Sequence, residues 1–250
     1  MKKIICLLCV MLLLSGLVGC GTSDSSSHDD RNTIITFPDK NLEKVIREAI
    51  KKPTGDILKS DVDKITVLDN YNKNISNISG MESLTKLTKL SLNNNKINNI
   101  EPLKGLTNLT SLLISSNQIS NIEPLKGLTN LTTLSLYSNQ ISDIEPLKGL
   151  TNLTSLSLYS NKISNIEPLK GLINLTMLDI TSNEISNIEP LRELTNLTDL
   201  SLEQNKISNI EPLRGLINLT SLQLYNNKIK DYSPVSSYYK NLKAKDFKLP

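Results

Sequence analysis

An internal repeat of 22 residues constrains this chain more than any other feature of its sequence. Counted from Leu87 as position 1, each copy carries apolar residues at positions 1, 4, 6, 11, 14, 17 and 20 and a proline at position 16. A degenerate copy precedes the seven regular ones and has Lys73 where they have asparagine. No single copy can bury its own apolar side chains, so the copies must stack around one continuous core. The asparagines at position 9 mark the seven copies: Asn95, Asn117, Asn139, Asn161, Asn183, Asn205 and Asn227.

The pattern inside each copy predicts a short strand followed by a turn. Apolar positions 4 and 6 alternate with mostly polar positions 3, 5 and 7, which is the period of a strand with one buried face. We expect the asparagines to turn inward and form a structural ladder, because an orphaned buried polar group costs about 1–3 kcal/mol. The rest of each copy is too short for a long helix, and its proline suits an arc where no ladder N–H is required. Eight parallel strands are therefore expected.

The frame LxxLxLxxNxI of these copies resembles the leucine-rich-repeat family and runs through about residues 65–240. The resemblance implies an α/β solenoid shaped like a horseshoe, with a parallel β-sheet on the concave face and 3-10 or extended segments on the convex face. The corresponding divisions are a helical N-terminal cap at 34–64, the repeats at 65–240, and a C-terminal cap or tail at 241–250.

The residues on either side of the repeats predict the two caps. Asp39 precedes apolar residues at helical spacing and is the expected N-cap of a helix that Pro53 and Gly55 would end. A second short helix is expected to start at Ser60. The C-terminal segment predicts a small polar cap that includes Lys243, Lys245 and Lys248.

A cap that opens with Phe-Pro-Asp, followed by 22-residue repeats carrying Ile-x-Pro-Leu, resembles the internalin group of bacterial surface proteins. In that group the concave face of the repeats binds host-cell receptors. Internalins usually continue into an immunoglobulin-like domain, and we expect none here, because the sequence ends at Pro250.

The N-terminus predicts export and lipidation. Two lysines precede an apolar stretch, and Leu17 to Cys20 then resembles a bacterial lipobox, so residues 1–19 are the expected signal peptide. The resemblance implies a diacylglyceryl group on Cys20, with residues 20–33 as a flexible linker. The alternative is an uncleaved transmembrane anchor, but the 16 residues from Ile4 to Gly19 fall short of the roughly 20 that a spanning helix needs. The expected location is the extracellular face of the bacterial membrane.

The composition argues against catalysis. No cysteine follows Cys20, and the only histidine, His28, lies in the linker. The sequence shows neither a glycine-rich phosphate loop nor metal-ligand spacing, and its net charge of +3 is not that of a nucleic-acid binder. We therefore expect neither an enzyme nor a cofactor, a metal or nucleic-acid binding.

The exposed strand positions carry the expected binding site. Tyr137 and Tyr159 fall on adjacent strands, and tyrosine is an efficient interface anchor. The alternative is that tyrosine simply suits exposed strands and is copied with the repeat. The convex columns of glutamate and lysine are interpreted as a solvated face. The predicted contact residues on the concave face are Leu113, Tyr137, Tyr159, Asp179, Asp199, Glu203 and Tyr225.

Two functions follow from these features. The first is a cell-surface binding module, expected to be a monomer, for a protein such as a host-cell receptor or for a glycan. The second is an envelope scaffold that organises the bacterium's own surface without a host partner. The concave tyrosines favour the first.

Overall fold

Nine short strands form one parallel sheet in the computed structural model, which describes residues 30–249. The predicted signal peptide, the predicted lipidation site Cys20 and most of the predicted linker lie outside the described residues. The strands are hydrogen-bonded in chain order: β1 Val67–Asp69, β2 Lys89–Ser91, β3 Ser111–Leu113, β4 Thr133–Ser135, β5 Ser155–Ser157, β6 Met177–Asp179, β7 Asp199–Ser201, β8 Ser221–Gln223 and β9 Ala244–Lys245. The repeats account for eight of these strands, as predicted, whereas β9 was not expected.

The sequence period fixes the sheet register. Leu90 of β2 pairs with Leu112 of β3, and Leu112 pairs in turn with Leu134 of β4, so each residue lies beside its counterpart 22 positions along. Side chains at one position of the repeat therefore form a column across the sheet. In the first regular copy the seven apolar positions are at most 1% exposed: Leu87, Leu90, Leu92, Ile97, Ile100, Leu103 and Leu106. The predicted solenoid with one aliphatic core is confirmed.

The other side of each repeat is a 3-10 turn, as predicted, and in six of the seven regular copies the turn begins with Glu-Pro. In the turn that starts at Glu101, Leu103 donates its backbone N–H to the carbonyl of Ile100 at 2.9 Å. Proline suits the start of the turn because it has no N–H to satisfy there. The 3-10 segments are Asp30–Asn32, Met81–Ser83, Glu101–Leu103, Glu123–Leu125, Glu145–Leu147, Glu167–Leu169, Glu189–Leu191, Glu211–Gly215, Ser233–Val235 and Tyr239–Asn241.

The N-terminal cap consists of α1, Lys40–Ile50, and α2, Lys59–Val62. Asp39 is the N-cap of α1, and one of its oxygens accepts hydrogen bonds from the backbone of Asn41 and Leu42. The other oxygen accepts from the backbone of Ser76 and Asn77 in the first repeat. Partial burial acts against ionisation, but the backbone N–H bonds outweigh it and lower the pKa of Asp39. This carboxylate therefore joins the cap to the repeats.

Helix α1 ends at Ile50, shortly before Pro53 and Gly55, in agreement with its predicted end. Lys51 follows it in the left-handed conformation, with φ of 55°, and its N–H is bonded to carbonyls of the last turn. No helix within residues 30–249 is long and apolar enough to span a membrane.

The C-terminal cap is aromatic rather than a cap of lysines. The rings of Tyr232 and Phe247 are stacked with centroids 5.0 Å apart, and Tyr239 packs on Phe247 at 5.8 Å. Lys245 places its Nζ 4.7 Å from the centre of the Tyr239 ring, whereas the expected cap residues Lys243 and Lys248 are exposed. Tyr238 is buried and donates its hydroxyl to the carbonyl of Leu213 at 2.8 Å. Burial raises the pKa of this tyrosine, which stays protonated.

Candidate binding face

The sheet face consists of the side chains at positions 3, 5 and 7 of the repeat, which alternate with the core positions 4 and 6. This is the face on which the sequence places its contact residues. About half of its side chains are serine, threonine or asparagine, so the aromatic, apolar and charged residues among the others distinguish one strand from the next.

Two tyrosines form the aromatic part of the sheet face. The rings of Tyr137 and Tyr159 have centroids 6.3 Å apart and planes tilted by 35°. Tyr159 is 39% exposed, and Tyr137 is half-buried. Leu113 is also half-buried and lies on β3, in register with Ser135 of β4. The structure therefore brings the two tyrosines into contact, with an apolar residue on the preceding strand.

Carboxylates gather on the following strands. The Glu203 carboxylate accepts a hydrogen bond from the hydroxyl of Thr181 at 3.2 Å, and Asp179 accepts from the backbone of the same threonine at 3.0 Å. Asp199 lies on β7, in register with Met177, and accepts from the hydroxyl of Thr198 at 2.7 Å. The three predicted carboxylates thus occupy adjoining strands, β6 and β7, together with the turn that follows β7.

A fourth carboxylate, Asp246, was not predicted because it lies outside the repeat frame. It follows β9 and accepts hydrogen bonds from the backbone of Leu224 and Tyr225, at 2.8 and 2.7 Å. Burial raises the pKa of Glu203, and the charges of Asp246 and Asp179 raise it further, against the hydrogen bond from Thr181. The part of the sheet face over β6 and β7 is therefore an acidic region. The C-terminal segment adds Asp246 to it.

Two further tyrosines mark the ends of the sheet face. Tyr225, which the sequence assigned to the site, follows β8 and is 66% exposed. Tyr71 follows β1 and is 61% exposed. Neither tyrosine stacks on the central pair, so Tyr137 and Tyr159 form the one aromatic contact of the sheet face within the described residues.

The asparagines at position 9 support the sheet face from behind. Asn161 donates its amide N–H groups to the carbonyls of Leu136, Leu158 and Tyr159, and its Oδ1 accepts from the backbone of Ile141 at 3.0 Å. The same pattern links each copy to the one before it. The residue before each of these asparagines is left-handed: Asn94, Ser116, Ser138, Ser160, Ser182, Gln204 and Asn226 have φ between 52° and 57°.

A second asparagine column, not recognised from the sequence, lies at position 22. Asn174 donates its amide to the carbonyl of Thr151 at 2.9 Å, and its counterparts repeat this bond. Threonines at position 2 also donate to the preceding repeat, as Thr154 does to Thr132 at 3.1 Å. These side chains line a neutral groove of about 530 Å³: Asn130, Thr132, Asn152, Thr154, Asn174, Thr176 and Asn196. Because each donates to the backbone of the preceding repeat, their part is structural.

The convex face is charged and open. Glu101 and Lys104 lie 3.4 Å apart, and both side chains are more than half exposed. Exposed pairs of this kind contribute little to stability. Within residues 30–249 no cluster of histidine, cysteine or carboxylate side chains has the arrangement of a metal site.

Comparisons with known proteins agree with this arrangement. The family model described as Leucine Rich repeats (2 copies) matches residues 107–149, 151–193 and 195–237. The crystal structure of internalin C2 from Listeria monocytogenes is 39% identical, with a TM-score of 0.81 over 84% of this chain and 93% of that chain. The functional domain of InlJ from the same species is 25% identical, with a TM-score of 0.53. The match covers 84% of this chain and 54% of that chain. A comparison with curated proteins finds no match.

A plant protein shares the fold as well. The plant peptide hormone receptor RGFR1, solved in complex with RGF2, is 28% identical, with a TM-score of 0.54 over 59% of this chain and 26% of that chain.

Proposed function

We propose, from the premise that this chain belongs to the leucine-rich-repeat family and within it to the internalin-like proteins, that its sheet face binds another protein at the cell surface. The observation that carries the proposal is the tyrosine pair. Tyr137 and Tyr159 present adjoining rings on an open face, beside the small polar side chains of Ser135 and Ser157. Large, stiff side chains with a polar tip dominate the binding energy of many interfaces.

The core does not require these tyrosines. The buried columns at positions 4 and 6 hold the sheet to the rest of the repeat, and the same strand position carries serine or threonine in other copies. A binding role gives these two residues a purpose that packing does not. The resemblance to internalins supports a host-cell receptor as the partner, and the peptide-bound plant receptor supports a protein ligand over a glycan.

We propose in addition that the chain is held on the extracellular face of the bacterial membrane through a lipid on Cys20. The support is the lipobox-like sequence that ends at this residue. Two acyl chains provide the stable anchoring that one chain does not. Mass spectrometry of the protein purified from its natural membrane should find a mature chain that begins with modified Cys20. An unmodified chain that retains residues 1–19 would exclude this anchor.

The experiment that tests the binding function uses the full chain in detergent as bait. Host-cell membrane extract and bacterial envelope extract are probed separately, and a captured protein is purified for affinity measurement. Replacing both Tyr137 and Tyr159 by alanine should weaken its binding by about thirtyfold, because truncating a hot-spot residue costs about 2 kcal/mol. The melting curve should stay nearly unchanged, since both side chains reach the surface.

The matched control removes apolar surface away from the sheet face. Ile173 and Ile217 are 52% and 60% exposed at position 21 of their repeats. Their double alanine variant should bind as the natural chain does. A specific partner found only in the envelope extract would favour the scaffold function over a host receptor. Equal affinity of the tyrosine variant and the natural chain would refute the proposed site.

A further inference from the structure

The charge on the sheet face is one-sided from β3 onward. Positions 3, 5 and 7 of strands β3 to β8 hold Asp179, Asp199 and Glu203 and no lysine or arginine. Asp246 adds a fourth carboxylate from the C-terminal segment and bonds to the backbone next to β8. From β3 to β8 a partner therefore meets negative charge only beyond the tyrosine pair, whereas Asp69 and Lys89 lie at the other end of the sheet, on β1 and β2.

Within residues 30–249 the acidic side chains have no cationic partners. Among the described residues, none of these four carboxylates forms an ion pair. Lys206, near this region at position 10, pairs instead with Glu184 at 2.9 Å. Lys245 of β9 points its amine to the Tyr239 ring and to the carbonyl of Leu242. Lys162 and Lys228, also at position 10, are exposed and free of ion pairs.

The repeat does not require a carboxylate at the position of Glu203. Burial raises the pKa of Glu203, and the charges of Asp246 and Asp179 raise it further. Both desolvation and like charge therefore disfavour the ionised form of this side chain. The same position in other copies is serine, threonine, asparagine or tyrosine, so a neutral residue would serve the repeat equally well. The cost is offset when a cation covers the site.

Apolar side chains lie beside the carboxylates. Met177 is 50% exposed on β6, in register with Asp199, and Tyr159 lies on the turn after the preceding strand. Tyr225 is exposed on the far side of Glu203. Arginine and lysine match such a mixed surface, because their apolar stems cover apolar groups while their heads pair with carboxylates. Arginine also stacks on aromatic faces.

We propose that the sheet face over β5 to β8 receives a cationic segment of the partner protein. Its arginine or lysine side chains face Asp179, Asp199 and Glu203, and its apolar part covers Met177 and Tyr159. Charge complementarity fixes the orientation of the partner, with its basic part toward the C-terminal end of the sheet, and speeds the encounter. This inference rests on the proposed function and adds the chemistry of the partner.

The test selects peptides from a phage-displayed random library with the full chain as bait. The natural chain should enrich peptides rich in arginine and lysine. The variant D179N/D199N/E203Q keeps acceptors for the bonds from Thr181 and Thr198 but removes three charges. It should bind the selected peptides about tenfold more weakly, and added salt should weaken binding to the natural chain.

The matched control is E101Q/E123Q/E145Q, which removes three carboxylates from the convex face, where they are exposed beside lysines. It should bind the peptides as the natural chain does. Selected peptides without basic enrichment, or basic peptides bound equally by D179N/D199N/E203Q, would overturn the inference. If those peptides still lose affinity when Tyr137 and Tyr159 are replaced by alanine, the proposed function stands. Peptides insensitive to both the acidic and the tyrosine changes would refute both.

Discussion

A single asparagine side chain in each repeat forms hydrogen bonds with backbone groups that have no backbone partner at the turn. The chain turns sharply out of its strand through a left-handed residue, such as Ser160, and leaves buried carbonyl and N–H groups without strand partners. Asn161 satisfies groups of its own turn and of the preceding repeat at the same time. The ladder therefore joins neighbouring repeats as well as shaping each turn.

Replacing Asn161 by alanine should lower the free energy of unfolding by about 2–3 kcal/mol, because it leaves several buried backbone groups unpaired. Denaturant unfolding measures the loss. The control is Asn174→Ala in the outer column, where the side chain is exposed and makes one bond, to Thr151. Water can replace that bond, so the loss there should stay below about 1 kcal/mol. Equal losses at the two positions would contradict the structural role of the inner ladder.

The asparagine ladder at position 9 could be predicted from the sequence, but the left-handed conformation of the residue before it could not. The spacing of Asn161 and its counterparts is visible in the sequence, and their inward turn follows from the end of the strand. Position 8 is serine in four copies, from Ser116 to Ser182. Serine does not predict a positive φ, as glycine or asparagine does. That conformation is imposed by the turn as a whole and not by the residue type.

At the scale of elements, the caps were harder to predict than the repeats. The start of α1 was visible because Asp39 is a typical N-cap residue, but its second oxygen also bonds to Ser76 and Asn77, which are distant in sequence. The aromatic C-terminal cap depends on contacts among Tyr232, Tyr239 and Phe247 that no period organises. The repeats, by contrast, present the same local environment several times.

Gly80 marks the tight contact between the N-terminal cap and the first repeat. Its φ is 97°, and an added Cβ would lie 2.5 Å from the carbonyl oxygen of Thr36 and 2.7 Å from the Phe37 ring. Gly80→Ala should therefore destabilise the protein by about 3 kcal/mol or more, from left-handed strain together with overpacking. Thermal and denaturant unfolding measure the loss.

Gly105→Ala separates the two causes. Gly105 has a φ of 94°, close to that of Gly80, but no atom lies within 4 Å of an added Cβ. This variant should lose only the conformational part, about 1–2 kcal/mol. If Gly80→Ala cost no more than Gly105→Ala, the cap would not pack closely on the first repeat.

At the scale of the whole molecule, the repeat explains why the fold was predictable and the site less so. A period of 22 residues sets the core, the strand register and the turns together, because each copy pairs with the next in the same way. The sheet face is free of these requirements, and its residues differ without affecting the fold. Tyr137 and Tyr159 could be placed side by side from the register, whereas Asp246 reaches the same face from beyond the repeats.

This independence of fold and face predicts the effect of removing one whole repeat. Deleting residues 87–108 removes β2 and none of the proposed contact residues, and it brings β1 into register with β3. Deleting residues 153–174 removes one repeat in the same way but takes Tyr159 with it. Both variants should keep the circular dichroism spectrum of the natural chain and melt a few degrees lower, since stability falls by about one repeat and one interface.

Binding should separate the two deletions. The chain without 87–108 should keep its affinity for a sheet-face ligand, while the chain without 153–174 should lose about tenfold or more, because it lacks half of the tyrosine pair. Deleting residues 87–97 alone provides the control for register. Removal of half a repeat cannot place the core leucines of β3 opposite those of β1. This chain should therefore lose its cooperative unfolding transition. Equal loss of affinity in the two whole-repeat deletions would mean that binding depends on the length of the sheet and not on the residues that β5 and its turn present.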